Sequence, residues 1–375
     1  MSFKVLHVSE SNEWSGGAAQ LLALARGLRE KQWDVRVACR PGSGLETKAG
    51  EAALPTFPVG LKEDYDLFSA WRLASYIRRE GIDVVHAHHN RSHAVCLLAK
   101  ALLALTGAAP VLVVSRRVSF APGKNPFSRW KYRSSLIDRI VAVADAVKDV
   151  LTRSGVPAGK VSVIRSGVDL GRYAPKAADA ALKRALGLSD DRRIIGKIAN
   201  ASPWKGQGVF LEAAALLLQR GRSVHFLLAG RDTTGDWVKG EVARLGLGER
   251  VTLAGFRTDV PELLAFLSVS VNAATQGEGL SGALRESLSM GVPVVASDIA
   301  GNRELLQGEG GPFLFPPGDA KALADRIDWV LDHPKQAEAA VAAWRGRAQA
   351  EFSVEQTVDK TDLLYRELLS SKSAR

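Results

Sequence analysis

Two glutamates, Glu278 and Glu286, stand eight positions apart across the glycine-rich turn Gly277-Glu-Gly-Leu-Ser-Gly282 and the helical stretch after it. Carboxylates accept hydrogen bonds from vicinal hydroxyls. A glycine-rich turn that opens a helix offers free N–H groups and a positive helix end to a phosphate. At the helical rise, eight positions span about 12 Å, on the order of the reach from a sugar across a diphosphate to a ribose. One nucleotide sugar could then set its phosphates on the helix end, its sugar hydroxyls on Glu278 and its ribose on Glu286. Gly279, Leu280 and Ser281 would be further substrate contacts. Taken singly, Glu286 equally suits the outer face of an amphipathic helix, and Glu278 a solvated loop.

The same turn supports a rival reading. Gly277, Gly279 and Gly282 fit G-x-G-x-x-G, and Asp298 ends the next strand about twenty residues on, which is the dinucleotide fingerprint of a nicotinamide oxidoreductase. Against it, a glutamate between the first two glycines would face the pyrophosphate.

Other candidates are weaker alone. Gly16 and Gly17 follow the first strand and could meet an anion through their backbone, or simply admit close helix packing. Lys205, in Ser202-Pro-Trp-Lys-Gly206, could bring a point charge to a phosphate. Glu63-Asp-Tyr-Asp66 offers a metal-like acidic pair, but Asp66 also suits a helix N-cap. His86 and His88 share a strand face, and zinc would need a third ligand that the sequence does not reveal. No G-x-S-x-G elbow occurs to support acyl transfer.

Short β-branched runs alternate with helical stretches, which implies parallel sheets with crossover helices. Strands are expected at 3–8, 33–39, 83–87, 110–115, 139–143 and 161–164, then at 193–198, 224–229, 250–253, 268–273, 292–296 and 312–315. This is an α/β chain of two doubly wound, Rossmann-like domains with a ligand cleft at the strand ends. The expected boundaries are 1–172 and 173–353, with a final helix, about 354–370, packing back on the first domain. The run Ala94 to Val114 is broken by Lys100 and Pro110, so helix–turn–strand is favoured over a membrane span.

The 375 residues carry a net charge of +10, and the composition is globular. Cys39 and Cys96, the two cysteines, exclude a disulfide scaffold and suit a reducing cytosol. The N-terminal stretch reads as a buried strand rather than a secretory leader. All the excess charge lies in residues 1–175, densest from Arg116 to Arg139, where Phe120, Phe127, Trp130 and Tyr132 interleave with it. Such a segment attracts anions and could rest on an anionic bilayer. A basic anion- or membrane-binding module without catalysis is therefore a third reading. Nucleic acid is disfavoured for want of any accompanying motif.

Taken in order, the motifs resemble the retaining, GT-B-type glycosyltransferases of family 4. They are Gly16-Gly17-Ala-Ala-Gln20, Asp83-Val-Val-His-Ala-His88, Val163 to Asp169, Trp204-Lys-Gly206, Gly255-Phe-Arg-Thr-Asp259, the E-x7-E segment Glu278 to Glu286, and Pro316-Pro-Gly-Asp319. The set covers nearly the whole chain and outweighs the oxidoreductase reading. The resemblance implies a nucleotide-sugar donor in the second domain, a glycan or lipid-linked acceptor in the first, and no cofactor or metal. It implies cell-surface polysaccharide or lipopolysaccharide synthesis in the cytoplasm, with a peripheral place on the inner face of the membrane as the further expectation. Glu278 would contact the donor sugar, Glu286 the ribose and Lys205 the diphosphate. Gly16 and Gly17 would approach the diphosphate from the first domain, and Phe256 and Arg257 would lie near the base. Two departures stand out. Relatives often carry an arginine where this chain has Asn200, and a histidine where it has Arg116 and Arg117. Arg117 or Arg116 could restore part of the charge missing at Asn200, with Arg117 the catalytic candidate.

Overall fold

The computed structural model describes residues 2–107, 109–123, 125–188, 191–306 and 311–373. The chain divides into two compact units. The first runs to Gly167 and is completed by the segment from Val354; the second is Val168–Ser353.

The first unit is built on seven parallel strands: β1 (Lys4–Ser9), β2 (Asp34–Cys39), β3 (Thr56–Pro58), β4 (Val84–Ala87), β5 (Val111–Arg116), β6 (Arg139–Ala142) and β7 (Val161–Val163). Their order is β3-β2-β1-β4-β5-β6-β7. The second unit has six: β8 (Arg193–Ile198), β9 (Val224–Ala229), β10 (Val251–Gly255), β11 (Leu267–Asn272), β12 (Val294–Ser297) and β13 (Leu314–Phe315), ordered β10-β9-β8-β11-β12-β13. Every strand read from the sequence is present. β3 is the addition. It has three residues, follows Pro55, ends on Pro58 and sits at the sheet edge, where proline's missing N–H costs nothing.

Both sheets reverse direction beside their first strand, between β1 and β4 and between β8 and β11. In a doubly wound sheet the loops that diverge there leave a crevice at the carboxyl ends of the strands. Strands buried on both faces supply the core: β4, β9 and β12 have no exposed residue.

The domain boundary differs from the expected 172/173. Val168 bridges Ser353 and donates its N–H to Phe352 O at 2.7 Å, so residues 168–173 belong to the second unit. The last helix, Val354–Ser373, belongs to the first. Its Tyr365 meets Trp33 edge-on at 5.4 Å between ring centres, and Trp33 Nε1 donates to Asp362 Oδ1 at 2.7 Å. The 94–114 run is the end of the helix Asn90–Ala104, a turn and β5. Among the described residues no helix is long and apolar enough to cross a membrane.

Candidate active site

In the second unit the loops after β8 and β11 bring the expected donor residues together. Lys205 Nζ lies 2.5 Å from Glu278 Oε1 and 4.2 Å from the centre of the Trp204 ring. Trp204 O accepts from Thr275 N at 2.9 Å, stitching one loop to the other. Gly206 makes the approach possible. Its φ is +72°, and a Cβ there would stand 1.9 Å from Ala273 O, at the end of β11. No other residue could hold Lys205 so close to the turn carrying Glu278.

Ser281 caps the helix Gly282–Ser289, its Oγ accepting from Leu284 N at 3.4 Å and from Asn272 Nδ2 at 2.7 Å. Its hydroxyl is thereby committed to the fold, which leaves a ligand the turn's backbone. Leu280 is buried. Gly301 lets the next loop close on the turn, since a Cβ there would meet Gly279 O at 2.2 Å. The helical estimate of the Glu278–Glu286 separation needs correction, because residues 278–281 precede the helix. The 1.5 Å rise applies only from Gly282 onward.

Glu286 is half-buried in the first turns of that helix. Burial raises its carboxyl above the usual range, and Arg285, Arg172 and a hydrogen bond from the Tyr173 hydroxyl oppose the rise. The phenol is pushed up in turn, first by burial and then by the charge of Glu286. Sequence reasoning missed Tyr173, which lies in an irregular stretch after the first domain's last strand.

Two expected contacts are otherwise engaged. Arg257 grips Asp259 through Nε at 2.8 Å and a second N–H, and so holds that carboxyl below its usual range. Phe256 is exposed, with the Arg231 guanidinium 4.2 Å from its ring centre. Asn200 is exposed and accepts the Arg231 N–H through Oδ1 at 3.0 Å. Asp298, the acid the dinucleotide fingerprint needs, is paired with Arg303.

In the first unit Ser15 caps the helix Gly16–Glu30. A Cβ on Gly16 would meet open space, whereas one on Gly17 would stand 2.8 Å from His89 Nε2. Gly17 therefore serves packing at least, and Gly16 is free to face a ligand.

Beside these glycines is a buried histidine cluster. His7 comes from β1 and His86 from β4, with His88 just beyond it. Their ring nitrogens lie within 4.8 Å of one another. His7 is the third histidine that the sequence did not reveal, because it is brought alongside only by the pairing of β1 with β4. All but one of the six nitrogens are joined to one another or to neighbours, His7 Nε2 being buried without a hydrogen-bond partner among the described residues. Arg117 donates to His88 Nδ1 at 2.9 Å, so His88 Nε2 carries its proton toward His7 Nδ1, also at 2.9 Å. His86 contacts Tyr365 OH at 2.5 Å and Ser115 Oγ at 2.8 Å. Burial, with the Arg117 charge behind it, pushes His7 down to about 3.

Much of the basic run is engaged within the fold. Arg116 donates to Tyr132 OH at 2.6 Å and to Phe120 O at 2.5 Å, contacts that fold the loop. Lys131 is buried and holds Asp64 at 3.1 Å and Asn90 Oδ1 at 2.8 Å. Arg133 and Arg139 donate to Ser154 O and Gly159 O. Lys124 lies outside the described residues. Tyr132 is buried too, while Arg129, Trp130 and Arg133 are exposed. An aromatic patch stands nearby. Tyr65 packs on Phe127 at 4.2 Å and Phe127 on Trp130 at 5.4 Å, while Phe68 and Trp71 are 67% and 58% exposed. Asp66 caps the helix Leu67–Glu80 that carries Phe68 and Trp71.

Two family models match the chain. That described as Glycosyltransferase Family 4 matches residues 14–172, and that described as Glycosyl transferases group 1 matches residues 192–333. The chain is 24% identical to the UDP-Gal:alpha-D-GlcNAc-diphosphoundecaprenol alpha-1,3-galactosyltransferase of Escherichia coli over 98% of both chains. It is 26% identical to the alpha-D-kanosaminyltransferase of Streptomyces kanamyceticus over 87% of this chain and 90% of that one. Among solved structures, a glycosyltransferase from Rickettsia africae superposes with a TM-score of 0.85 at 20% identity, over 98% of this chain and 99% of the other. Anabaena HepE in complex with UDP-glucose superposes at 0.83 with 22% identity, over the same shares.

Proposed function

Because this chain belongs to the group 1, family 4 glycosyltransferases, enzymes of hexosyl transfer with the GT-B fold, we propose that it moves a sugar, with retention, from a nucleoside-diphosphate donor to a lipid-linked or lipopolysaccharide-type acceptor. The observation that carries the donor half is the grouping of Lys205, Glu278, the N-terminus of the helix Gly282–Ser289 and Glu286 at one switch point. Uridine is the base to try first, since UDP-galactose and UDP-glucose appear in the names of a relative and of a similar structure.

In this reading the diphosphate takes over the Lys205 charge that Glu278 neutralises in the free protein. The helix N-terminus carries the other phosphate. Glu286 accepts from the ribose hydroxyls, and Glu278, released from Lys205, faces the donor sugar. The reaction in this reading is a same-face displacement. The bond from the anomeric carbon to the phosphate oxygen breaks, the acceptor oxygen bonds to that carbon, and the acceptor's proton passes to the departing diphosphate. Lys205 and the helix end stabilise that leaving charge, which is where catalysis is gained. Arg117, held by His88, is the candidate for the first unit's contribution.

The acceptor half rests on the aromatic patch around Phe68, Trp71, Phe127 and Trp130, which suits the interfacial layer of a cytoplasmic leaflet. Names of relatives that act on a diphosphoundecaprenol-linked sugar or on a lipopolysaccharide core support this class of acceptor.

A thermal-shift series with UDP, GDP, ADP, their sugars, NAD and NADP tests the donor reading. Stabilisation by one nucleoside diphosphate and its sugar is expected, and tighter binding of NAD than of any of them would overturn it. Transfer should persist in EDTA. Loss on chelation with recovery in manganese would refute metal-free transfer.

A further inference from the structure

β8 carries a lysine inside the sheet. Lys197 is 2% exposed and lies opposite Leu228 of β9. On the other side β11 presents Ser270, beside Gly196. The titratable groups that act on Lys197 are Lys205 and Glu278, the ion pair of the donor site. Glu278 spends its Oε1 on Lys205. Among the described residues Lys197 has no hydrogen-bonded acceptor and no ion pair of its own.

An ammonium buried without a partner is costly, and a second cation beside it adds to the cost. An apolar side chain would fill this strand position at no such penalty. The arrangement becomes favourable when an anion enters between Lys197, Lys205 and the helix N-terminus.

We propose that Lys197 is a second cation of the donor's diphosphate subsite, acting with Lys205. The inference rests on the donor reading above and deepens it. It also accounts for Asn200, whose side chain is neutral and engaged with the Arg231 backbone. Arg116 is engaged with Tyr132 and Phe120. Lys197 stands three positions before Asn200 in the same unit.

The protonation of Lys197 supplies a signature that a structural lysine would lack. Burial, assisted by Lys205 and opposed by Glu278, pushes its ammonium down to about 7. An adjacent diphosphate favours the charged form, so binding near and above that pH draws a proton onto the protein.

The experiment is calorimetric titration of wild type, Lys197→Met and Lys197→Gln at pH 6, 7 and 8, each in two buffers of different ionisation enthalpy. The probes are UDP, GDP, ADP, inorganic pyrophosphate and the matching nucleosides. Lys197→Met keeps the volume and removes the charge, and Lys197→Gln keeps a polar group should the methionine disturb folding. Each variant should bind the preferred diphosphate and pyrophosphate at least about tenfold more weakly, with nucleoside affinity unchanged. Relative to either variant, wild type should take up about 0.9 proton more at pH 8 and about 0.1 at pH 6. Equal diphosphate affinity, or equal proton uptake, in a folded variant overturns the role of Lys197. Failure of wild type to bind any of the diphosphates overturns the donor reading itself, and this inference with it.

Discussion

The Tyr173 phenol and the Glu286 carboxyl, 113 positions apart in sequence, act on one another: the charge of Glu286 helps push the phenol up, and the phenol opposes the rise that burial gives the carboxyl assigned to the donor's ribose. In the donor reading the phenol stands where a ribose hydroxyl would come, and Arg285 and Arg172 likewise oppose the rise that burial imposes on the carboxyl.

Glu286→Ala should weaken nucleotide-sugar binding by about 1–3 kcal/mol, the usual cost of removing a charged partner from a hydrogen bond. Tyr173→Phe should change it by less than about 1 kcal/mol, because the ribose replaces the phenol on binding. Calorimetry with the preferred nucleotide reads both. A Tyr173→Phe loss as large as that of Glu286→Ala would mean that the phenol, and not the carboxylate, meets the donor.

Lys205→Ala removes the partner of Glu278 and one diphosphate cation at once. Turnover should fall about 10²-fold or more, a loss of roughly 3 kcal/mol in transition-state stabilisation, while nucleoside binding is retained. Glu278→Gln should lower turnover and leave nucleoside affinity unchanged. Steady-state kinetics beside nucleoside titrations separate these outcomes, and parallel losses in both would place the pair in the fold instead of the reaction.

Acid should destabilise the first unit. His7 and His93 are each pushed from an ordinary value near 6.5 to about 3, mainly by burial, with Arg117 and Lys131 adding to the shift. Between those values the unfolded chain binds more protons than the folded one. Stability is therefore highest above pH 6.5 and falls as pH drops toward 3, by up to about 1.4 kcal/mol per pH unit for each histidine. Hydrogen exchange in β1 and β4 between pH 7 and pH 4.5, corrected for the intrinsic rate, measures it. His93→Leu should flatten the dependence.

Membrane docking is tested on the aromatic patch. Phe68→Ser with Trp71→Ser should abolish co-sedimentation with anionic vesicles and leave donor binding intact, since both side chains are exposed. Lys131→Ser is a poor probe, because it strips Asp64 and Asn90 of a buried partner and should cost stability by about 2–4 kcal/mol. Wild type that stays in the supernatant at low salt would rule out docking.

The two sheets and the donor turn were legible from local pattern. Alternating β-branched runs and helical stretches imply parallel strands, and the turn from Gly277 to Gly282 carries its phosphate-binding logic in its residue types. The contacts of the basic run were not legible, for a physical reason. Charge density along a chain says nothing of where each side chain ends, and Lys131 and Arg116 turn inward to hold Asp64 and Tyr132. The exposed partner of that run, the helix Leu67–Glu80, lies some sixty residues upstream, beyond the reach of any local window.

What the sequence by itself determined is the set of local preferences: strand and helix periods, the caps at Ser15, Asp66 and Ser281, and the glycine that admits a left-handed turn at 206. Each depends on residues within a few positions of one another. Tertiary structure alone decided which distant groups act on one another: His7 and His88, Tyr173 and Glu286, Lys197 and the pair Lys205 and Glu278. These pairings follow from the crossover that sets β1 against β4 and β8 against β11. A side chain's charge state depends on the burial and neighbours that the crossover creates, and neither is a property of the residue's place along the chain.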